Sequence, residues 1–269
     1  MVPTYRTVGR SVSDGATRRD SYCAVVEQWL RVGVGLAVLL VIGIAALTAA
    51  GVPARRMMVT ASARAVLQLA GVALALRGVF AAPVAVIGVL AIMFGVVVGT
   101  AGRRLRAHPG ALGAVALSCG AGALTAIAII VGLPVLSRDV RTLVAVSGIV
   151  LGGTMTAATL TGRRLDDGLR LRRAEIEAWL AIGATPRVAV RDIARSAVFE
   201  ALVPALDQTR TVGLVTLPGA FVGALLGGVS AQEAAKFQIV VLVGLLCAEA
   251  ITATVLAYLL GAPERLPES

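Results

Sequence analysis

Few side chains in this 269-residue sequence could do chemistry, and most of those sit alone in apolar surroundings. Asp207 and Arg210 are three apart, which puts them on one helical face. They could form a salt bridge that stiffens a junction, or Asp207 could offer oxygen to a cation. Glu249 lies among Leu245, Leu246, Ile251 and Val255, so its carboxyl must be neutral or paired. It could bond a neighbouring helix or carry a transport step. Gln68 offers a carbonyl oxygen and Met155 a thioether, which suits soft metals but is also common packing material. Gln68, Met155 and Glu249 are therefore the candidate substrate path. Cys23, Cys119 and Cys247 are too far apart for a CxxC site, and His108 stands in an arginine-rich loop where solvent is expected. No nucleophile–base pair is visible, so no catalytic residues are assigned, and the residues that would hold a metal are unknown. Lys236, the only lysine, follows no glycine-rich turn, and no GxxxxGK[ST] loop exists. No cofactor is expected in this chain.

These groups need a membrane to position them. The chain is 58% hydrophobic and 15% charged, with mean hydropathy +0.89, whereas soluble domains are about a quarter charged. Crossing hydrocarbon takes about 20 apolar residues per helix. The apolar runs predict an all-α, polytopic helical membrane protein with about seven spans: Gly33–Val52, Ala63–Phe80, Pro83–Ala101, Ala111–Leu133, Thr142–Thr161, Val212–Gly228 and Phe237–Leu260. They lack the alternation of a lipid-facing barrel. Arg77 would snorkel from the end of the second span. Small residues mark helix seams, with Gly219, Gly223 and Gly227 at four-residue spacing expected to pack within the bundle.

The net charge of +10 sits in short loops, a positive-inside pattern rather than a nucleic-acid footprint. Alternating loop charge places the amino terminus outside and the carboxyl terminus in the cytoplasm, in a multi-pass protein of the cell (inner) membrane. Residues 1–31 read as a polar, disordered tail. Arg18-Arg19 suggests twin-arginine export, but Glu27 and Arg31 interrupt the apolar stretch that such a signal needs. Residues 32–263 form the membrane domain, and 264–269 a short tail.

One polar island breaks the pattern. Residues 163–173 are expected to prolong the fifth helix into the cytoplasm as a charged stalk. Glu175–Ile182 then reads as a short helix with Trp179, Leu180 and Ile182 able to make apolar contacts. Gly183 permits a reversal, and Thr185-Pro186 looks like a capped helix start. The next helix carries Arg187, Arg191 and Arg195 on one face and Val190, Ile193, Ala197 and Val198 on another, the pattern of a helix lying on the membrane surface. Glu200 would end it, facing headgroups or Ser196.

Glu177-Ala-Trp-x-x-x-Gly183, with Ile193 ten residues on, resembles the EAA loop of ABC-transporter permeases, although Arg195-Ser196 replaces the Leu-Pro of the importer consensus. A longer resemblance runs from about residue 55 onward. Arg64–Gly71, Gly148–Met155, Ala181–Pro186, Ala201–Gly219 and Ala234–Ile239 resemble the bacterial iron-export and plant aluminium-tolerance ABC permeases. Gly153 departs from that pattern, where relatives often carry Asn. The resemblance implies a permease subunit without its own ATPase and not an enzyme: a separate ABC ATPase subunit and a second copy of this chain would be its partners. It implies metal export, iron being one candidate. Coupling to the ATPase would fall on Glu177, Ala178, Trp179, Gly183 and Pro186, within a cytoplasmic coupling region spanning 163–210. The elbow and pore would involve Asp207, Arg210, Leu217, Pro218 and Gly219. An ion-gradient-driven secondary transporter or channel, with Glu249 as relay, is the alternative.

Overall fold

The computed structural model describes residues 13–262 apart from 80–82, 107, 109, 134, 135 and 138; the side chains of 13–26 and 75–84 also lie outside the description. The expectations for residues 1–12 and 264–269, and for the side chains of Cys23, Arg77, Pro134 and Arg138, therefore fall outside it. Among the described residues the elements are all helices: α1 (Ser13–Ala49), α2 (Arg55–Val79), α3 (Pro83–Arg104), α4 (Ala111–Gly132), α5 (Val140–Leu171), α6 (Arg173–Ala181), α7 (Pro186–Thr211), α8 (Gly219–Leu226) and α9 (Ala231–Leu260). It is a polytopic helical membrane protein. Six of these helices are long and apolar enough to cross a bilayer, among the described residues: α1 from Glu27, α2, α3, α4, α5 and α9.

The chain divides into two compact units at Arg77 and Gly78. The first holds α1 and most of α2, joined by a short turn in which Gly51 takes a left-handed φ of 71°. Helix α1 begins at Ser13, so the irregular tail expected up to Arg31 gives way to helix from that residue onward.

In the second unit, α3, α4, α5 and α9 form a bundle whose directions can be read from its contacts. Thr252 of α9 donates its hydroxyl to the Ser118 carbonyl of α4, and Gly244 of α9 lies against Ile130, so these two helices are antiparallel. The Cys119 thiol of α4 reaches the Thr154 carbonyl of α5 at 3.6 Å, while Val146 of α5 lies near Ile130 and Val131, so α4 and α5 are antiparallel too. Helices α5 and α9 are therefore parallel. The segment between them must return the chain from the end of α5 to the opposite end of the bundle.

That return is not the expected apolar span. Residues 212–228 form a turn, closed by the Gly213 N–H donating to the Thr216 carbonyl at 2.9 Å, followed by the eight-residue α8. Gly213 has φ 81° and Gly228 φ 85°, both left-handed, and Pro218 takes an extended ψ of 143°. Proline lacks the N–H that a continuing helix needs, and the residue before it is pushed out of the helical region. Glycine and proline thus cut one hydrophobic run into a turn and a short helix. The return is made instead by α7, the turn and α8, which packs on α9.

Helix α7 is also not a surface helix. Its Ala189, Val190, Ile193 and Ala197 are buried in one cluster with Leu165, Leu169 and Ile176. Ile193 packs at Gly168, and Glu200 pairs with Arg164, so α7 runs back along α5, antiparallel to it. Eleven residues beyond Glu200 rise about 17 Å, roughly half of a hydrocarbon core.

Candidate functional site

The polar island folds as a lever at one end of the bundle. Helix α5 continues without a break through Arg163–Leu171, as its sequence predicts, because the stalk contains no breaker stronger than Gly168. At Gly168 a Cβ would press on Ile193, so the missing side chain is what lets α7 approach the stalk closely. Helix α6 then projects from the end of α5. Two internal ion pairs brace it: Arg172 binds Glu175 through both carboxylate oxygens at 2.6 and 2.7 Å, and Arg173 binds Glu177 at 2.8 Å. The Arg172 guanidinium holds the Glu175 carboxyl below its usual range. Ile176 is buried and anchors α6 to the stalk cluster.

The other face of α6 is open. Trp179 is 43% exposed and Ile182 76% exposed, with Leu180 and Leu171 also exposed. Apolar side chains thus stand partly open on a charged, ion-paired stem. Gly183 has a φ of 89°, which L residues rarely adopt. It turns the chain so that Pro186 opens α7 at its first position, where a missing N–H costs nothing. Thr185 has the extended backbone of an N-cap, but its side chain makes no cap hydrogen bond. Glu177, Ala178, Trp179, Gly183 and Pro186 are thus gathered in one helix–turn–helix.

Asp207 and Arg210 do lie together, 3.8 Å apart and exposed, in the last turns of α7 rather than at a separate elbow. Leu217 is exposed, Pro218 caps α8 and Gly219 opens it. A Cβ at Gly219 or Gly223 would meet nothing, so this glycine series does not pack inside the chain as expected.

The substrate-path candidates separate. Gln68 is exposed on α2, in the first unit. Met155 is partly buried against the core. Glu249 is 6% exposed and has no hydrogen-bond or ion-pair partner among the described residues. It lies against Gly153, where a Cβ would stand 2.6 Å from Oε1, so the glycine makes room for the carboxylate. Around it runs a buried polar seam of Ser118, Cys119, Thr154 and Thr252, whose bonds all end on backbone carbonyls. No group of His, Cys, Asp or Glu able to hold a metal is found among the described residues.

Two tertiary contacts had no signal in the sequence. His108 is buried rather than solvent-facing, with Nε2 3.5 Å from Asp166 on the α5 stalk. Glu200 turns to Arg164 at 3.1 Å rather than to headgroups or Ser196. Neither partner is near in sequence, so no spacing rule could find them. The pairs bracing α6 do obey the three- and four-residue rule and were legible in principle.

Comparison with known proteins gives these arrangements a context. The family described as "Uncharacterised protein family (UPF0014)" matches residues 29–263. The chain is 37% identical over 204 residues to "UPF0014 membrane protein STAR2" of Oryza sativa subsp. japonica, covering 75% of this chain and 72% of that protein. It is 34% identical over 206 residues to "Protein ALUMINUM SENSITIVE 3" of Arabidopsis thaliana, covering 75% and 76%. It is 31% identical over 146 residues to "Probable iron export permease protein FetB" of Escherichia coli (strain K12), covering 54% and 55%. No solved structure matches.

Proposed function

We propose a transport function for this chain, which belongs to the UPF0014 family of membrane proteins: it is the membrane permease subunit of an ABC-type transporter, driven by a separate ATPase. The observation that carries this reading is the lever. An exposed Trp179–Ile182 tip stands on an ion-paired stem that is continuous with α5 and clasped by α7. A push on α6 would be transmitted through rigid helix into both the bundle and the broken return crossing. Non-helical backbone at membrane depth is tolerated where it is shielded by protein or lines a water-filled cavity, and discontinuous crossings are where transporters place their substrates. The 212–218 turn beside Asp207 and Arg210 is accordingly the proposed gate.

The name of one relative, an iron export permease, supports metal export with iron as the candidate, and the name of another mentions aluminium sensitivity. A cation would pass as substrate along a path with dispersed oxygens. The arginine-rich end of the bundle is assigned to the cytoplasm, so the carboxyl terminus lies inside and the amino terminus outside the cell membrane. A second copy of this chain would complete the pore, and ATP and Mg would be held by the partner.

The test is reconstitution. The chain purified with an ATPase subunit should move Fe²⁺ in an ATP-dependent manner, and Trp179→Asp should abolish both co-purification and transport. Labelling of Trp179→Cys from outside the cell would overturn the reading. The buried, unpartnered Glu249 favours a second reading, an ion-driven carrier. Transport by the isolated chain in liposomes without ATP, lost on Glu249→Gln, would establish it in place of the first.

A further inference from the structure

Beside the lever, α7 and the last turns of α9 enclose an open groove of about 720 Å³ that the transport reading does not use. Its composition is graded along α7. Arg187, Arg191 and Arg195 line one end, with Val188 and Ala194 between them, and Val198, Phe199 and Leu202 the other, which carries no charge; Thr254, Ala257 and Tyr258 of α9 are the facing wall. Fifteen residues separate Arg187 from Leu202, a rise of about 22 Å along the helix.

The arginines are held in place but not neutralised. Arg187 stacks on the Tyr258 ring at 3.8 Å, a cation–π contact that leaves its charge intact. Arg195 has Asp192 at 3.9 Å, the limit of an ion pair, with both side chains largely exposed. Arg191 has no ion-pair partner among the described residues. Phe199, at the apolar end, is 65% exposed. Tyr258 lies two residues before the end of α9, where aromatic side chains mark headgroup depth.

We propose that this groove binds an anionic phospholipid, its phosphate held by Arg187, Arg191 and Arg195 and one acyl chain laid over Val198, Phe199 and Leu202. The order of the lining carries the assignment. A solvated arginine face would not continue into an exposed phenylalanine and a half-buried leucine, whereas a lipid has charge at one end and hydrocarbon at the other. Basic pockets between membrane helices at the cytoplasmic end are suited to anionic headgroups. A second copy seated in the groove is the competing occupant, and the crosslinking test below separates it from a lipid. The site spans the clasp between α7 and α9. A bound lipid would therefore brace the helix that leads to the broken crossing. The proposal goes beyond the transport reading and needs only that the end of α9 lie at headgroup depth.

The experiment uses the full chain in detergent, titrated with phosphatidylglycerol or phosphatidylcholine and read by native mass spectrometry. Phosphatidylglycerol should be retained in preference. The double variant Arg191→Gln, Arg195→Gln should weaken its retention roughly thirtyfold, since two basic groups near a lipid surface together contribute about 2 kcal/mol, while Arg191→Lys should keep most of it. A second measurement does not depend on the arginine variants folding. Phe199→Trp in phosphatidylcholine nanodiscs, with a minor fraction of brominated phosphatidylglycerol, should show quenching beyond that fraction, relative to the unmutated chain with its native Trp29 and Trp179. Equal retention of the two lipids, or no loss in the double variant, would mean an adventitious lipid annulus and overturn the proposal. Disulfide-linked dimers of Phe199→Cys in the bilayer would also overturn it, by placing a second copy in the groove. None of these outcomes bears on ATP-driven transport, so the two readings fail separately.

Discussion

The seam between α4, α5 and α9 and the lever of α6 and α7 are made by opposite means. In the seam, small residues bring backbones together, and the hydroxyls of Ser118, Thr154 and Thr252 donate to carbonyls of the helices. In the lever, charged side chains pair on the surface, and apolar ones are left exposed. In lipid, association comes from close packing rather than from expulsion of water, so a seam holds its shape only where side chains are absent. In water, exposed ion pairs are worth little, and an exposed apolar tip is more valuable bound to something. The difference teaches that the membrane part is built to keep one packing, while the lever leaves an apolar tip open for the partner proposed above.

The strongest challenge to that contrast is Gly122→Val. A Cβ there would meet the Thr252 hydroxyl and the Ala248 carbonyl oxygen, which is backbone and cannot swing away. Overpacking of this kind costs about 3 kcal/mol, so thermal unfolding in detergent should drop sharply. Gly219→Val, where a Cβ meets nothing, is the control and should leave that transition nearly unmoved. If both variants behave alike, the seam is not the rigid element.

Gly183→Val sharpens the comparison from the other side. A left-handed residue costs roughly 1–2 kcal/mol when a side chain is added. The strain falls on the α6–α7 turn, which has no part in the seam. Partner binding and ATP-dependent transport should be lost while most thermal stability remains, as read by co-purification beside a melting curve.

The opposite end of α5 offers a smaller effect. Asp139 caps the helix by accepting the Thr142 N–H at 2.9 Å. The Thr142 hydroxyl and backbone N–H hold its carboxyl below the ordinary range. Because the folded value is lowered, this contribution is complete above the unfolded value, about 3.9, and fades as pH falls through the folded one. Asp139→Ala should cost about 1 kcal/mol near neutral pH, and the gap to the unmutated chain should close in strong acid. Asp139→Asn should cost almost nothing, since asparagine caps equally well.

The smallest effect is expected at Arg164→Ala. Its pair with Glu200 is half exposed on both sides, so its loss should cost under about 1 kcal/mol and vanish at high salt. A larger, salt-insensitive loss would show that α7 is clasped to the stalk by charge rather than by Leu165, Leu169 and Ile193.

Much of this architecture is decided locally, and to that extent the residues alone determined it. Twenty-odd apolar residues in a row have to satisfy their own backbone groups as helix, so α3, α4 and α9 could be read directly. The stalk, the Gly183 reversal and the Pro186 start are likewise properties of neighbouring residues. The failure at Val212–Gly228 is also local in cause: hydropathy counts apolar residues, but Gly213 and Pro218 break the helix however apolar their surroundings are. Only the tertiary structure decided that α5 and α9 are parallel, that α7 therefore runs back along the stalk, and that Arg187 meets Tyr258 across the groove. Helix directions depend on which faces pack, and that is settled by contacts between residues far apart in the chain, such as Gly122 with Ala248, which leave no periodic trace in either segment.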